Sequence, residues 1–289
     1  MMKKILVLIS SLLVLTVGIC GCRAKSGSET ATQVQSESGK PILRVAMECA
    51  YPPFNWSQET DENGAVPIYG TNQYANGLDV TVAKMICEEE GYELQIIKTD
   101  WDSMILGLQS DKWDAVIAGM GITDERKKSV DFSVPYKYLN YSIILKKDSP
   151  YANATSVAEL DGATAITQLG SVWEQMVPQI PNVNELAPLA TTGEAVVAVD
   201  SGKADVAVFD DATCISACLS HPDLMYIAFE DGKGFAIPEG QYGQCGVAVK
   251  KGNSEILEKI NDALADYTKE QQADDLYKAI DMQPLTGEQ

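Results

Sequence analysis

The chain has 289 residues, with 41 acidic and 22 basic side chains and a formal net charge of −19. That length suits one large or two small domains, and the apolar fraction of 45% suits a soluble globule. So acidic a chain offers no basic face, which argues against nucleic-acid binding.

The N-terminus reads as a targeting segment. Lys3 and Lys4 precede an apolar run over 5–19 that contains Ser10, Ser11, Thr16 and Gly18. The run is short for a membrane span and no stop-transfer pattern follows, so a signal peptide over 1–22 is expected. Ile19-Cys20-Gly21-Cys22 resembles a bacterial lipobox. Gly21 is the small residue before the cleavage point, so Cys22 is the expected lipidation site; a plain secretory signal is the alternative. Residues 23–40 are polar, without periodicity, and read as a flexible tether. Cys49, Cys87, Cys214, Cys218 and Cys245 remain, an odd number, so they cannot all pair within one chain. Cys214, Cys218 and His221 fall short of a four-ligand zinc set, and buried apolar cysteines are the simpler reading. No metal and no cofactor are expected.

Taken in order, 42–48 predicts a strand ending in Glu48. Residues 49–56 predict a loop in which Pro52 and Pro53 present Tyr51, Phe54 and Trp56 rigidly. Residues 57–76 predict a loop or small subdomain. Over 77–91 a helix is expected, capped by Asp79, with Leu78, Val82, Met85 and Ile86 on one face and Gly91 as its stop. A strand over 92–98 and a short helix over 102–109 follow.

Residues 113–126, WDAVIAGMGITDER, predict a buried strand, a glycine-bearing loop and a helix start. Thr123 fits the N-cap, and Asp124 and Glu125 fit the first turn. Free backbone N–H groups at Gly119 and Gly121 beside the Arg126 guanidinium would suit a carboxylate. A surface arginine on an ordinary strand–loop–helix is the plainer alternative.

Beyond it, 134–145 reads as extended chain crossing between domains. Capping boxes are expected at Ser156/Glu159, Ser171/Glu174 and Thr191/Glu194. Residues 104–117 and 195–208 share a pattern of apolar helix, Ser-x-Lys-x-Asp turn and apolar strand, so Asp114 corresponds to Asp205. Asp210 and Asp211 open a further helix. Two strands, near 225–229 and 243–252, and helices at the C-terminal end complete the chain.

No nucleophile elbow, phosphate loop or dinucleotide fingerprint is present, and His221 stands beside Pro222 in a loop. A binding cleft fits better. Glu48, Arg126 and Asp210 all lie just after predicted strands, where ligands of open α/β sheets sit. An arginine and an aspartate match the two charged groups of a free amino acid, and Tyr51 and Trp101 can wall its side chain. Packing for Trp101 and Trp56, a helix cap for Asp211 and a lysine partner for Glu48 are the plainer alternatives.

The segments RVAMECAYPPFNW, GLDVTVAKMIC, WDAVIAGMGITDERKKSVDFSVPY, QLGSVWEQ and DVAVFDD resemble those of the solute-binding proteins of polar amino-acid ABC transporters, bacterial family 3. They occur in the family's order over about 42–250. The resemblance implies an α/β fold of two lobes, the type II periplasmic-binding-protein fold, with two hinge crossings and a ligand cleft between lobes. Lobe 1 is expected over 41–140 plus 240–289, and lobe 2 over 141–239. It implies that Arg126, with backbone around Gly119 and Gly121, holds a ligand carboxylate, and that Asp210 takes the α-amino group. Glu48 would face the ligand side chain, Tyr51 and Trp101 would flank it, and Gln168, Gly170, Ser171 and Val172 would form the second-lobe carboxylate loop. There are departures. Gly121 and Val172 stand where family members carry hydroxyls, Thr81 replaces an acid, and 57–76 is long.

The resulting expectation is an extracytoplasmic, lipid-anchored, monomeric receptor without catalytic residues. It captures a polar, cationic amino acid by hinge closure and delivers it to an ABC permease at the cell membrane. The alternative is a dehydratase of the cyclohexadienyl or arogenate type on the same fold.

Overall fold

The structure, a computed structural model, describes residues 39–284. The expected signal peptide, Cys22 and the tether before residue 39 lie outside the described residues, as do 285–289. No helix among the described residues is long and apolar enough to cross a membrane.

Two main sheets organise the chain. In the first, Glu93–Lys98, Ile42–Met47 and Ala115–Val116 run parallel, and Gln241–Lys250 lies antiparallel beside them. Gly121–Thr123 and Val130–Tyr138 also pair with Gln241–Lys250. The second sheet repeats the plan. Asn184–Glu185, Thr164–Ile166 and Val206–Asp210 run parallel, with Tyr141–Lys146 antiparallel beside them and Leu224–Ala228 at the edge. The chain crosses between sheets twice, from Val130–Tyr138 to Tyr141–Lys146 and from Leu224–Ala228 to Gln241–Lys250.

The internal repeat seen in the sequence is a structural one. Asp114 N–H donates to Arg44 O at 2.9 Å, and Arg44 N–H donates to Asp114 Oδ2 at 2.9 Å. In the second sheet Asp205 N–H donates to Thr164 O at 2.8 Å, and Thr164 N–H donates to Asp205 Oδ2 at 2.8 Å. Each aspartate thus closes the ladder at the start of a buried parallel strand. Its carboxylate accepts the N–H that a strand end leaves over. The matching registers, Val45 with Ala115 and Ala165 with Val206, make Glu48 and Gln168 equivalent positions at the carboxyl ends of the two sheets.

Several local expectations change. Residues 49–76 form a small four-stranded sheet, with Ala50–Tyr51 and Asn55–Gln58 within the stretch predicted as a loop. The helix Leu78–Glu90 starts after Gly77 without a side-chain cap, and Gly91 ends it in the left-handed region at φ 70°. Asp79 is not its cap: it is fully buried and turned into the core. The expected boxes at Ser156 and Ser171 do not form, because short 3-10 turns follow rather than α-helices. There the acid reaches back one residue further, Glu159 to Thr155 and Glu174 to the N–H of Gly170. The Thr191/Glu194 box forms as predicted and opens the helix Thr192–Asp200. Asp210, not Asp211, caps the helix Asp211–Ser220, and Asp211 accepts from Ser142.

All five cysteines among the described residues are free thiols, and Cys49, Cys87, Cys214 and Cys245 are buried. His221 turns to Asp200, with Nδ1 3.1 Å from Oδ2. The last helix, Lys269–Met282, packs on both Leu78–Glu90 and Asp211–Ser220. Just beyond it Gln283, 5% exposed, is held by Ser216. The Ser216 hydroxyl donates to Gln283 Oε1, and Gln283 Nε2 donates to Ser216 O at 3.5 Å.

Candidate functional site

The carboxyl ends of the parallel strands in both sheets converge. Glu48 follows Ile42–Met47 and is 7% exposed; its Oε1 accepts from Gln168 Nε2 at 3.1 Å. Gln168 also donates to Ala190 O at 3.0 Å. Burial pushes the Glu48 carboxyl up to about 7; the Gln168 hydrogen bond opposes this, and Asp79, Asp100 and Asp102 add to it.

A second contact joins the sheets at Asp210. Tyr51 OH donates to Asp210 Oδ2 at 2.8 Å, and Thr213 Oγ1 donates to the same oxygen at 2.7 Å. Asp210 Oδ1 accepts from Thr213 N–H at 3.1 Å, which is its capping bond. Burial raises its pKa, while these hydrogen bonds pull it down. The Tyr51 ring stacks on Phe54, with centroids 4.7 Å apart, and meets the edge of Trp173.

The central stretch departs from its expected form. Only Ala115–Val116 pair as a strand, Gly121 lies in the short strand Gly121–Thr123, and the helix Asp124–Lys127 is one turn long. Thr123 does cap it, accepting from Arg126 N–H at 3.1 Å. The Gly119 N–H, expected to be free, is taken by Tyr136 OH at 2.9 Å, and Gly119 O accepts from Cys245 Sγ at 3.1 Å. A β-carbon at Gly121 would stand 2.8 Å from Val172 Cγ1 and 3.4 Å from Arg126 Nη1. Glycine at 121 therefore leaves room for the Val172 side chain and the Arg126 guanidinium.

Arg126 reaches across. Its Nη1 donates to Gly121 O at 2.7 Å and its Nη2 to Gly170 O at 2.9 Å, while its guanidinium carbon lies 5.1 Å from the Trp101 ring centroid. Trp101 thus stands against Arg126. No carboxylate lies within ion-pair distance of this guanidinium among the described residues. Arg126 keeps some exposed area but is densely surrounded by protein, and desolvation lowers its pKa to about 10.

Sequence reasoning missed two neighbours, Trp173 and Gln241. Trp173 is 5% exposed, and its Nε1 has no hydrogen-bond partner among the described residues; the same holds for the buried Ser171 Oγ and Gln241 Oε1. Gln241 Nε2 donates to Val172 O at 3.2 Å, another bond between the sheets. Trp173 stands two residues after Ser171, within the predicted loop's own segment QLGSVWEQ, a position that could have drawn notice. Gln241 gives no such signal, because it is one polar residue at a strand start.

The sequence profile of the bacterial extracellular solute-binding proteins, family 3, matches residues 43–280. The arginine-binding extracellular protein ArtP of Bacillus subtilis (strain 168) is 31% identical over 267 residues, 91% of this chain and 92% of ArtP. The L-cystine-binding protein TcyJ of Escherichia coli (strain K12) is 27% identical over 228 residues, 79% of this chain and 78% of TcyJ. Among solved structures, an amino acid ABC transporter substrate-binding protein from Streptococcus pneumoniae bound to L-arginine superposes with a TM-score of 0.71. It is 27% identical, over 84% of this chain and 95% of that one. The paired sheets, the double crossing and the convergence of strand ends are the two-lobe architecture of type II periplasmic binding proteins. The chain belongs to the bacterial extracellular solute-binding proteins, family 3.

Proposed function

We propose that this protein captures a cationic amino acid, arginine foremost, for an ABC importer, and that it closes on the ligand between two lobes. Lobe 1 comprises 41–140 plus 240–289, and lobe 2 comprises 141–239. One observation carries the reading. Arg126 is a largely desolvated guanidinium without an acid partner among the described residues, in a chain with 41 acids. A charge so placed is costly unless a carboxylate completes it. The ligand's α-carboxylate fills that role, aided by the backbone at Gly121 and by the turn of Gln168, Ser171 and Val172.

The ligand's ammonium goes to Asp210, taking over from the Tyr51 hydroxyl, because a charged donor binds a carboxylate more strongly than a phenol does. Glu48 receives the cationic end, and Tyr51 and Trp101 flank the chain between. The arginine-binding relatives support this choice, and the cystine-binding relative marks the range of side chains the family accepts. The same lobes bridged by Tyr51–Asp210, Gln168–Glu48 and Arg126–Gly170 close around the ligand by a hinge. The protein is a binder with no catalytic residues; the dehydratase alternative gains no support from these relatives. It acts outside the cytoplasm as a monomer, held to the membrane through lipid on Cys22 after signal cleavage.

The test is a thermal-shift and calorimetric screen of the chain from residue 23 against the common amino acids, ornithine and cystine. A ligand that binds only the folded state raises the melting temperature. Arginine is expected to give the largest shift, lost in Arg126→Ala and Asp210→Ala. No shift with any amino acid overturns the proposal.

A further inference from the structure

Two turns border the site from lobe 1. One follows Ile42–Met47, where Cys49 takes φ 53°, and the other follows Ala115–Val116, where Gly119 takes φ 58°. Left-handed backbone at a non-glycine residue such as Cys49 persists only where its surroundings hold it. Each turn is held by a side chain, and both side chains end on one carboxylate. Asn55 Oδ1 accepts the Cys49 N–H at 2.7 Å, while Asn55 Nδ2 donates to Asp79 Oδ2 at 2.7 Å. Tyr136 OH accepts the Gly119 N–H at 2.9 Å and donates to Asp79 Oδ1 at 2.7 Å. Asp79, Asn55 and Tyr136 are all 0% exposed.

Among the described residues Asp79 has no cationic partner, and a fully buried acid so placed is an expensive way to fill a core. An apolar side chain would pack as well but could not accept two hydrogen bonds aimed at two turns. What the turns carry explains the acid. Glu48 immediately precedes Cys49. Gly119 leads to Gly121, whose carbonyl accepts from Arg126 Nη1 at 2.7 Å. The spacing between these turns is the spacing between the group that takes the ligand's cationic end and the groups that take its carboxylate.

We propose that Asp79 is a positioning residue that sets the ligand length the site accepts, by fixing the Cys49 turn through Asn55 and the Gly119 turn through Tyr136. The proposal rests on the roles given above to Glu48 and Arg126. Asp79 acts from behind the two turns and does not touch the ligand. A second hold on the same glycine, from Cys245 Sγ to Gly119 O at 3.1 Å, comes from the return strand Gln241–Lys250. Gly119 is thereby pinned by residues of both strands that flank the crossings, Tyr136 on Val130–Tyr138 and Cys245 on Gln241–Lys250.

The experiment compares arginine with its homologue one methylene shorter, in the wild type, Asp79→Asn and Tyr136→Phe. A rigid site separates ligands differing by one methylene by roughly tenfold or more in affinity. That ratio is expected to fall to about twofold in both variants, because each breaks an arm to a turn. Tyr136→Phe keeps the ring and severs only the Gly119 arm, so it carries the test if Asp79→Asn fails to fold. A merely structural role would lower the melting temperature and weaken both ligands equally. Variants that keep the wild-type ratio therefore overturn the proposal. A wild type that binds neither ligand overturns the receptor reading instead, and a wild type that binds both equally shows that no length gauge exists.

Discussion

Glu48 gives the most exposed forecast, because its charge state should decide the affinity for a cation. Burial holds its carboxyl at about 7, with Asp79, Asp100 and Asp102 adding repulsion and Gln168 partly offsetting it. Only the ionised form attracts a guanidinium. By its titration about one molecule in ten carries that form at pH 6 and about nine in ten at pH 8, so arginine should bind about tenfold more tightly at pH 8. Stability of the ligand-free protein should move the other way. A carboxyl raised from 4.5 to about 7 binds its proton more tightly when folded, so its contribution is full below pH 4.5 and lost as pH rises through 7. The ceiling on that contribution is about 3 kcal/mol. Isothermal titration of arginine across pH 6–8, in two buffers of different ionisation enthalpy, reads both the affinity and the proton released. Glu48→Gln should bind more weakly and flatten the affinity profile. An arginine affinity equal at both pH values in the wild type would refute the reasoning, as would an unchanged slope in the variant.

Gly121→Ala should weaken arginine binding by about 1–3 kcal/mol through overpacking against Val172. Val172→Ala in the same chain should recover part of the loss in a calorimetric double-mutant cycle, and strict additivity would sink the steric argument. Asp205→Ala should cost the ligand-free protein about 1–3 kcal/mol in urea melts, because the half-buried Thr164 N–H loses its acceptor. Asp114→Ala should cost more, since the Arg44 guanidinium also donates to Asp114, at 2.7 Å and 2.9 Å. Equal stability of all three chains would remove the energetic basis of the structural repeat.

What the sequence revealed, and what it hid, divide by the reach of the interactions. Thr123 capping Arg126 and the Thr191/Glu194 box are contacts three residues apart, and a threonine with acids in the turn that follows announces them. The repeat was legible because each unit carries its own aspartate at the head of an apolar strand. The places of Glu48, Arg126 and Asp210 at or just after strand ends were legible from the strand pattern, helped by the resemblance to a known family. Asp79 was misread because its local position suits a cap, whereas its partners lie 24 and 57 residues away. The boxes at Ser156 and Ser171 failed because the pattern cannot tell an α-helical first turn from a 3-10 turn. Gly119 was expected to offer its N–H to a ligand; Tyr136, distant in sequence, had already claimed it.

The tie between Gln283 and Ser216 bears on how a reporter could be built from this receptor. Ser216 lies one turn beyond Thr213, whose hydroxyl lies 3.1 Å from Tyr51 OH and 2.7 Å from Asp210 Oδ2. A dye placed near Gln283 therefore sits against the helix that Asp210 caps. Its emission would register capture without touching the cargo, whereas a chain cut before Gln283 would leave such a sensor silent.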